Sequence, residues 1–366
     1  MAASADLEVG APVSGGVLVD VEIPGPGASA IVDPGSNLDG AAEFDAPRSI
    51  DPALPLVDRA FHGVARTIGL LVLVVMGSIG LFLGYQSLPT LQRYGLGFFT
   101  ESQWQPENDV LGISGVLVGT FTIAIVALVI AFPLAITTAI YISEYATPKI
   151  KSLLVSMVDL MAAVPSIIWG LWGFALMQPK AAHVGHWLHT HLGFIPFFQV
   201  DTDPNAAPWA ETKYYASAFV AGIAVAMMVL PMAAAVMRQV FAQAPIGERE
   251  AALALGSTKW GMIRTVVLPF GKGGIIGGTM LSMGRALGET IAVVLIISPA
   301  FDIKFRPLEI GTESVSALIA GRFGEATSAQ LSALLTAGFV LFIITLVINT
   351  LAAMIVARSR SGASTD

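Results

Sequence analysis

Six long stretches of this 366-residue chain are almost without charge, and their spacing limits the fold more than any motif does. Residues 67–92, 110–143, 214–237 and 326–357 hold no Asp, Glu, Lys or Arg, residues 152–179 only Asp159, and residues 273–301 only Arg285 and Glu289. A hydrocarbon layer about 30 Å thick takes roughly 20 apolar helical residues to cross, and lipid offers a backbone no hydrogen-bond partner, so each crossing segment must be a helix. The pattern predicts an all-α integral membrane protein with spans near 67–88, 115–140, 153–177, 214–237, 273–298 and 330–356. Composition agrees: 55% of residues are hydrophobic and 12% charged, against about 25% charged in soluble domains.

Basic residues divide unevenly between the two sets of connections, and that bias sets orientation. Twelve fall before span one, between spans two and three, between four and five, and after six, against six on the other side. Both termini are therefore expected on the cytoplasmic side. Residues 1–57 differ in kind, with nine acidic residues, one Arg, seven Pro and seven Gly. They cannot bury enough apolar surface to offset their ordering entropy, so they read as a disordered acidic cytoplasmic tail ahead of a transmembrane region at 58–360. No cleavable leader is read there. The chain has no Cys, which removes disulfides and thiolate metal sites.

Phe98, Phe99 and Trp104 follow span one and suit an aromatic belt. The connection at 178–213 holds His183, His186, His189 and His191 and reads as an outer loop. His183, His186 and His189 recur at helical spacing, which makes them the one candidate metal set. Without a nearby carboxylate or thiol, the plainer reading is a wet membrane surface, and no metal or cofactor is expected. Asp302–Thr327 reads as a second outer segment with a short helix near Val315–Ile319, either packed over a pore mouth or lying in the interface.

The connection between spans four and five, at 240–270, has internal structure. Glu248–Leu255 is a strong helix former, Gly256 is placed to terminate it, Ser257 to cap a second short helix, and Pro269 limits that helix. Ala251, Ala252 and Ala254 offer a small-residue surface that another protein can approach, and Glu250 can receive its Arg or Lys. A connector lying on lipid is the alternative. Glu250-Ala251-Ala252, three residues, Gly256, nine residues, then Val266, one residue and Leu268-Pro269 resembles the EAA loop of membrane subunits in binding-protein-dependent ATP-binding cassette importers, with Val266 for the usual Ile. The resemblance implies a type I (MetI-like) permease whose loop docks into a separate ATPase. No GxxxxGK[ST] phosphate loop occurs, Gly271-Lys272 being followed by Gly273, so ATP hydrolysis is expected on a partner chain and not here.

Arg285 lies near mid-membrane, where a charge costs about 2.5 to 3.5 kcal/mol on insertion scales. Glu289 follows at i+4, so the two are expected either to pair as a structural unit or to work as an oxyanion fork and gate. Gly284-Arg285-Ala286-Leu287-Gly288-Glu289-Thr290-Ile291-Ala292-Val293 resembles a segment of the C-type permeases of phosphate-specific transport systems, and Ser314–Ala326 resembles their stretch before the last helix. In span three, Asp159-Leu160 through Val164-Pro165-Ser166-Ile167-Ile168-Trp169-Gly170-Leu171-Trp172-Gly173 resembles another, with Asp for Glu and Trp169 for Tyr. Pro165 is expected to break that helix and free backbone groups along a water-lined path, the alternative being a simple kink with Asp159 near the cytoplasmic interface.

What the resemblance implies is a non-catalytic subunit that moves inorganic phosphate inward by alternating access, with Arg285, Glu289, Thr290, Asp159 and Ser166 along the pathway and Glu250, Ala251, Ala252 and Gly256 at the ATPase. Its implied partners are a homologous A-type permease subunit, an ATPase dimer, an extracytoplasmic phosphate-binding protein and the lipid bilayer, with no nucleic acid. Carriage of another oxyanion such as molybdate or sulfate is one alternative. An ion-gradient-driven secondary transporter is the other.

Overall fold

The computed structural model describes residues 56–200 and 211–360, so the acidic tail expected at 1–57 falls almost wholly outside the described residues. The chain divides into two units, Met1–Arg66 and Thr67–Asp366. Of the first, only the opening turns of a helix are described; all that follows concerns the second.

Helices account for nearly all of it: α1 (Leu56–Tyr94), α2 (Ser114–Ile140), α3 (Pro148–Ala163), α4 (Ser166–Trp172), α5 (Gln178–Leu192) and α6 (Ala218–Ala242). Then come α7 (Ile246–Ala254), α8 (Lys259–Met262), α9 (Lys272–Leu287), α10 (Ile291–Ile296), α11 (Val315–Arg322) and α12 (Ser328–Arg360). A two-residue hairpin pairs Trp104 with Leu111 and Gln105 with Val110. Among the described residues four helices are long and apolar enough to cross a bilayer unbroken, and two bent pairs bring the number up to six.

Helix α6 is the axis of the bundle, with 61% of its apolar window buried. Its alanines and glycines let neighbours approach closely, as small residues do in membrane bundles. A Cβ on Gly222 would sit 2.5 Å from Val126 on α2, and one on Gly274 would sit 2.5 Å from Val240. Helices α1 and α12 are the opposite case. Their apolar windows are 0% and 6% buried. Such continuous exposed apolar surface needs a non-aqueous neighbour, which the bilayer provides. They meet each other through Thr90 and Ser332, whose hydroxyls lie 2.8 Å apart, and through Phe342 and Phe339 against Gly80 and Gly84.

The expected third and fifth spans are not continuous helices. Span three bends by 90° between α3 and α4, at Val164–Pro165. A proline pushes the residue before it out of helical geometry, and Val164 is extended at φ −64°, ψ 127°. The residues expected as an outer loop from 178 are helical as far as Leu192, joined to α4 by a π-type turn over Gly173–Met177. Pro179 did not stop that helix: it follows directly on the π-type turn, where the Gln178 N–H reaches back to the Gly173 carbonyl, and the helix continues through it. The fifth span, expected over 273–298, follows Lys259–Phe270 at a 66° bend beside Gly271 and is interrupted again at Gly288–Thr290, between α9 and α10. Helix α11 buries Val315, Ala317 and Leu318 within the protein, which removes the interfacial alternative.

Candidate permease site

The two interruptions meet. Helices α4 and α10, the short segments beyond each break, cross at glycine: a Cβ on Gly170 would lie 2.7 Å from the Cα of Ala292, and one on Gly173 would lie 2.7 Å from Ile296. Backbone-to-backbone contact of this kind holds both breaks in one place.

At the second break the expected Arg285–Glu289 pair does not form. The i+4 geometry ends at Leu287, because Gly288 caps α9 and Glu289 turns away. The Glu289 side chain is buried and accepts the Ala292 N–H at 3.2 Å, capping α10, while its main-chain carbonyl accepts the Ser316 hydroxyl of α11 at 2.6 Å. Thr290, half-buried, donates to the Gly288 carbonyl at 3.1 Å. Glu289 thus ties α9, α10 and α11 together.

Arg285 is left half-buried, and among the described residues it makes no ion pair with any carboxylate. It lines a cleft of about 510 Å³ with Met232, Gly284, Phe342, Thr345 and Asn349, between α6, α9 and α12. A guanidinium in a largely apolar cleft can hold an oxyanion, since its five donors fit the anion's edge. Asn349 is a polar side chain in the middle of an apolar helix and is the residue on this wall that sequence reading passed over. The signal was available: a lone Asn in a 32-residue charge-free stretch.

Asp159 lies elsewhere. It is exposed, 3.7 Å from Arg238 at the contact of α3 with α6, and does not line the Arg285 cleft. Ser166 opens α4 at the first break and is half-buried. The histidines sit on α5, with the rings of His186 and His189 at 5.8 and 6.3 Å from that of Tyr214. His189 Nδ1 is 3.1 Å from the Phe198 carbonyl. Among the described residues no three His, Cys, Asp or Glu side chains converge as metal ligands.

The 246–270 connection is helix, turn and helix, with Gly256 at φ +84° ending α7, a conformation glycine adopts without strain. The second cap is Thr258, which accepts the Gly261 N–H at 3.1 Å, and not Ser257. Ser257 completes the end of α7, its N–H donating to the Ala252 carbonyl at 3.2 Å, and α8 starts one residue later than expected. Glu250, Ala251 and Gly256 are exposed and Ala252 half-buried, with Ile246 and Leu255 also open to solvent. Arg249 turns inward, 3.2 Å from Glu144 at the end of α2 and bonded to the Phe241 carbonyl at the end of α6.

At the opposite end of α2, Thr120 accepts the Val315 N–H at 3.0 Å, and Gly119 faces the Glu313 carbonyl. The Glu313 side chain is buried between α10 and α11, and burial pushes its carboxyl up to about 7 against the weaker pull of the Ser314 N–H and Arg322.

A family model described as the binding-protein-dependent transport system inner membrane component matches residues 131–361. The chain belongs to this family. The expected fold class, an all-α membrane permease of the ABC importer kind, holds, and α1 lies ahead of the matched region. The permease is 34% identical over 323 residues to the phosphate transport system permease protein PstC 2 of Mycobacterium tuberculosis, covering 85% of this chain and 98% of that one. It is 35% identical over 288 residues to the phosphate transport system permease protein PstC of Xylella fastidiosa, covering 78% and 86%. Among solved structures it is similar to a bacterial ABC transporter involved in the import of the acidic polysaccharide alginate, at 19% identity and a TM-score of 0.47 over 82% of this chain.

Proposed function

We propose that this permease is the C-type membrane subunit of an ATP-driven importer of inorganic phosphate. The likeness to the two phosphate transport permeases over most of both lengths carries the reading. Arg285, unpaired over its cleft, supplies the chemistry such cargo requires. Phosphate has no fixed hydrogen-bonding orientation to satisfy beyond its oxygens, and a guanidinium fork meets two of them at once.

Transport on this reading is alternating access. A homologous A-type subunit completes the pathway, a phosphate-binding protein delivers the anion from outside, and an ATPase dimer closes beneath and drives the change. Glu250, Ala251, Ala252 and Gly256 form the ATPase dock on the cytoplasmic side, which places both termini there. Arg285 takes the anion, while Glu289, Thr290 and Ser166 occupy the two breaks where the wall of the pathway bends. Asp159 latches α3 to α6 through Arg238. The subunit binds and moves its cargo without making or breaking a bond in it.

The test is uptake of radiolabelled phosphate into vesicles holding the assembled complex. Arg285→Gln is expected to abolish uptake while the complex still co-purifies. Normal uptake by that variant would remove Arg285 from the pathway, and competition by excess molybdate or sulfate at equal strength would reassign the cargo. Transport by the purified chain alone, under an ion gradient and without an ATPase, would overturn the importer reading.

A further inference from the structure

The last turn of α2 grips both short helices of the 246–270 loop with two consecutive side chains. Tyr141–Tyr145 is a π-type turn that continues α2. Glu144 in this turn holds Arg249 of α7 at 3.2 Å, with the two side chains only 4% and 19% exposed. Tyr145, the next residue, lies beneath the ammonium of Lys259 on α8, 4.9 Å from its ring centre. Below these contacts Ile142, Ala244, Met262 and Ile263 are buried together. Arg249 also donates to the Phe241 carbonyl in the last turn of α6, where a helix end is electronegative and short of donors. One guanidinium therefore joins α7, α2 and α6.

We propose that Arg249 and Glu144, supported by Lys259 on Tyr145, are the strut through which movement of the docked loop reaches the membrane helices α2 and α6. The inference rests on the reading of the loop as an ATPase dock. Consecutive residues of α7 divide the work, since a helix turns about 100° per residue: Glu250 is exposed on the outer face and Arg249 is turned to the bundle. Apolar contact alone lets helices slide past one another. A desolvated ion pair does not, because separating it leaves a buried charge uncompensated. A lysine cannot replace Arg249 fully, having no planar fork to reach Glu144 and the Phe241 carbonyl together. Both are positioning residues, remote from the Arg285 cleft.

The experiment uses the full complex in vesicles, with phosphate uptake and ATP hydrolysis measured on the same preparation. Arg249→Gln and Glu144→Gln are expected to keep the ATPase bound and hydrolysing within twofold of wild type while phosphate moved per ATP falls at least tenfold. Arg249→Lys should recover part of that loss. The double variant should fall no further than either single one, because the two residues act as a unit. Since the chain has no Cys, a fluorophore on Gln103→Cys, ahead of α2 at its far end, gives an ATP-dependent signal that does not depend on the anion carried. That signal should be lost in both single variants. Unchanged uptake per ATP with an intact signal would overturn the strut, as would additive losses or release of the ATPase from the complex. A wild-type complex that shows the ATP-dependent signal but takes up no phosphate would overturn the cargo and leave the strut standing.

Discussion

Replacing Gly170 by alanine tests whether the crossing of α4 and α10 holds the two helix breaks in place. In an exposed helix that change is favourable by about 1 kcal/mol, because alanine loses less backbone freedom on ordering. Here the new methyl would stand 2.7 Å from the Ala292 Cα and 2.9 Å from Leu295 Cδ1. Carbon pairs rest at about 3.5 to 4.0 Å, so α10 must retreat by roughly 1 Å. The Ala292 contact is backbone and cannot rotate away. Forcing an extra carbon into packed structure costs about 1 to 3 kcal/mol, which outweighs the propensity gain. The retreat also pulls on Glu289, which caps α10 and is fastened to Ser316. Gly77→Ala is the control, because a Cβ there meets nothing within 4 Å. In thermal unfolding of the purified complex, Gly170→Ala should lower Tm by a few degrees and Gly77→Ala should leave it level or raise it. Equal, upward shifts in both would refute the argument.

Three further outcomes are expected. Thr258→Ala removes the cap of α8, worth about 1 kcal/mol, and should speed hydrogen exchange at the Gly261 amide about fivefold, whereas Ser257→Ala should not. Glu313 keeps in the folded state a proton that its ordinary value of 4.5 would release. Stability should therefore fall as pH rises from about 4.5 to about 7, by about 3 kcal/mol in all, and Glu313→Gln should flatten that slope in Tm against pH. Asn349→Leu should raise the KM for phosphate about fivefold, the worth of one hydrogen bond of about 1 kcal/mol, with kcat near wild type; a change confined to kcat would place Asn349 outside the binding site.

Much of the architecture was legible because lipid imposes simple rules. Charge-free length finds helices, and some of the residues that interrupt it mark structural features: Arg285 does face a cleft and Pro165 does break its helix, whereas Asp159 is exposed beside Arg238. What could not be read was where a helix ends in three dimensions. Arg285 and Glu289 are four apart, and i+4 is a contact only while the helix continues; Gly288 ended it one residue too soon. The Ser257 cap was off by one residue for a related reason, since Ser257 still belongs to the closing turn of α7. Arg249 and Glu144 are 105 residues apart, and no local pattern relates them. Glu144 closed a charge-free run and looked like the end of a span, which it is, while its partner stood unremarked beside Glu250.

The close seating of α6 against α2 has a mechanical consequence. On the proposed reading of the strut, Gly222 pressed on Val126 in the middle and Arg249 fastened to the ends of both helices make the two turn as one lever. A 27-residue helix is about 40 Å long at 1.5 Å per residue. A tilt of about 5° at the strut then carries the far end of α2 through about 3.5 Å, more than the width of a water molecule. That far end holds Gly119 and Thr120 against the segment running from Glu313 into α11. On the same reading, a small movement of the docked loop is enough to part or seal a contact at the other end of α2, whose length sets the gain.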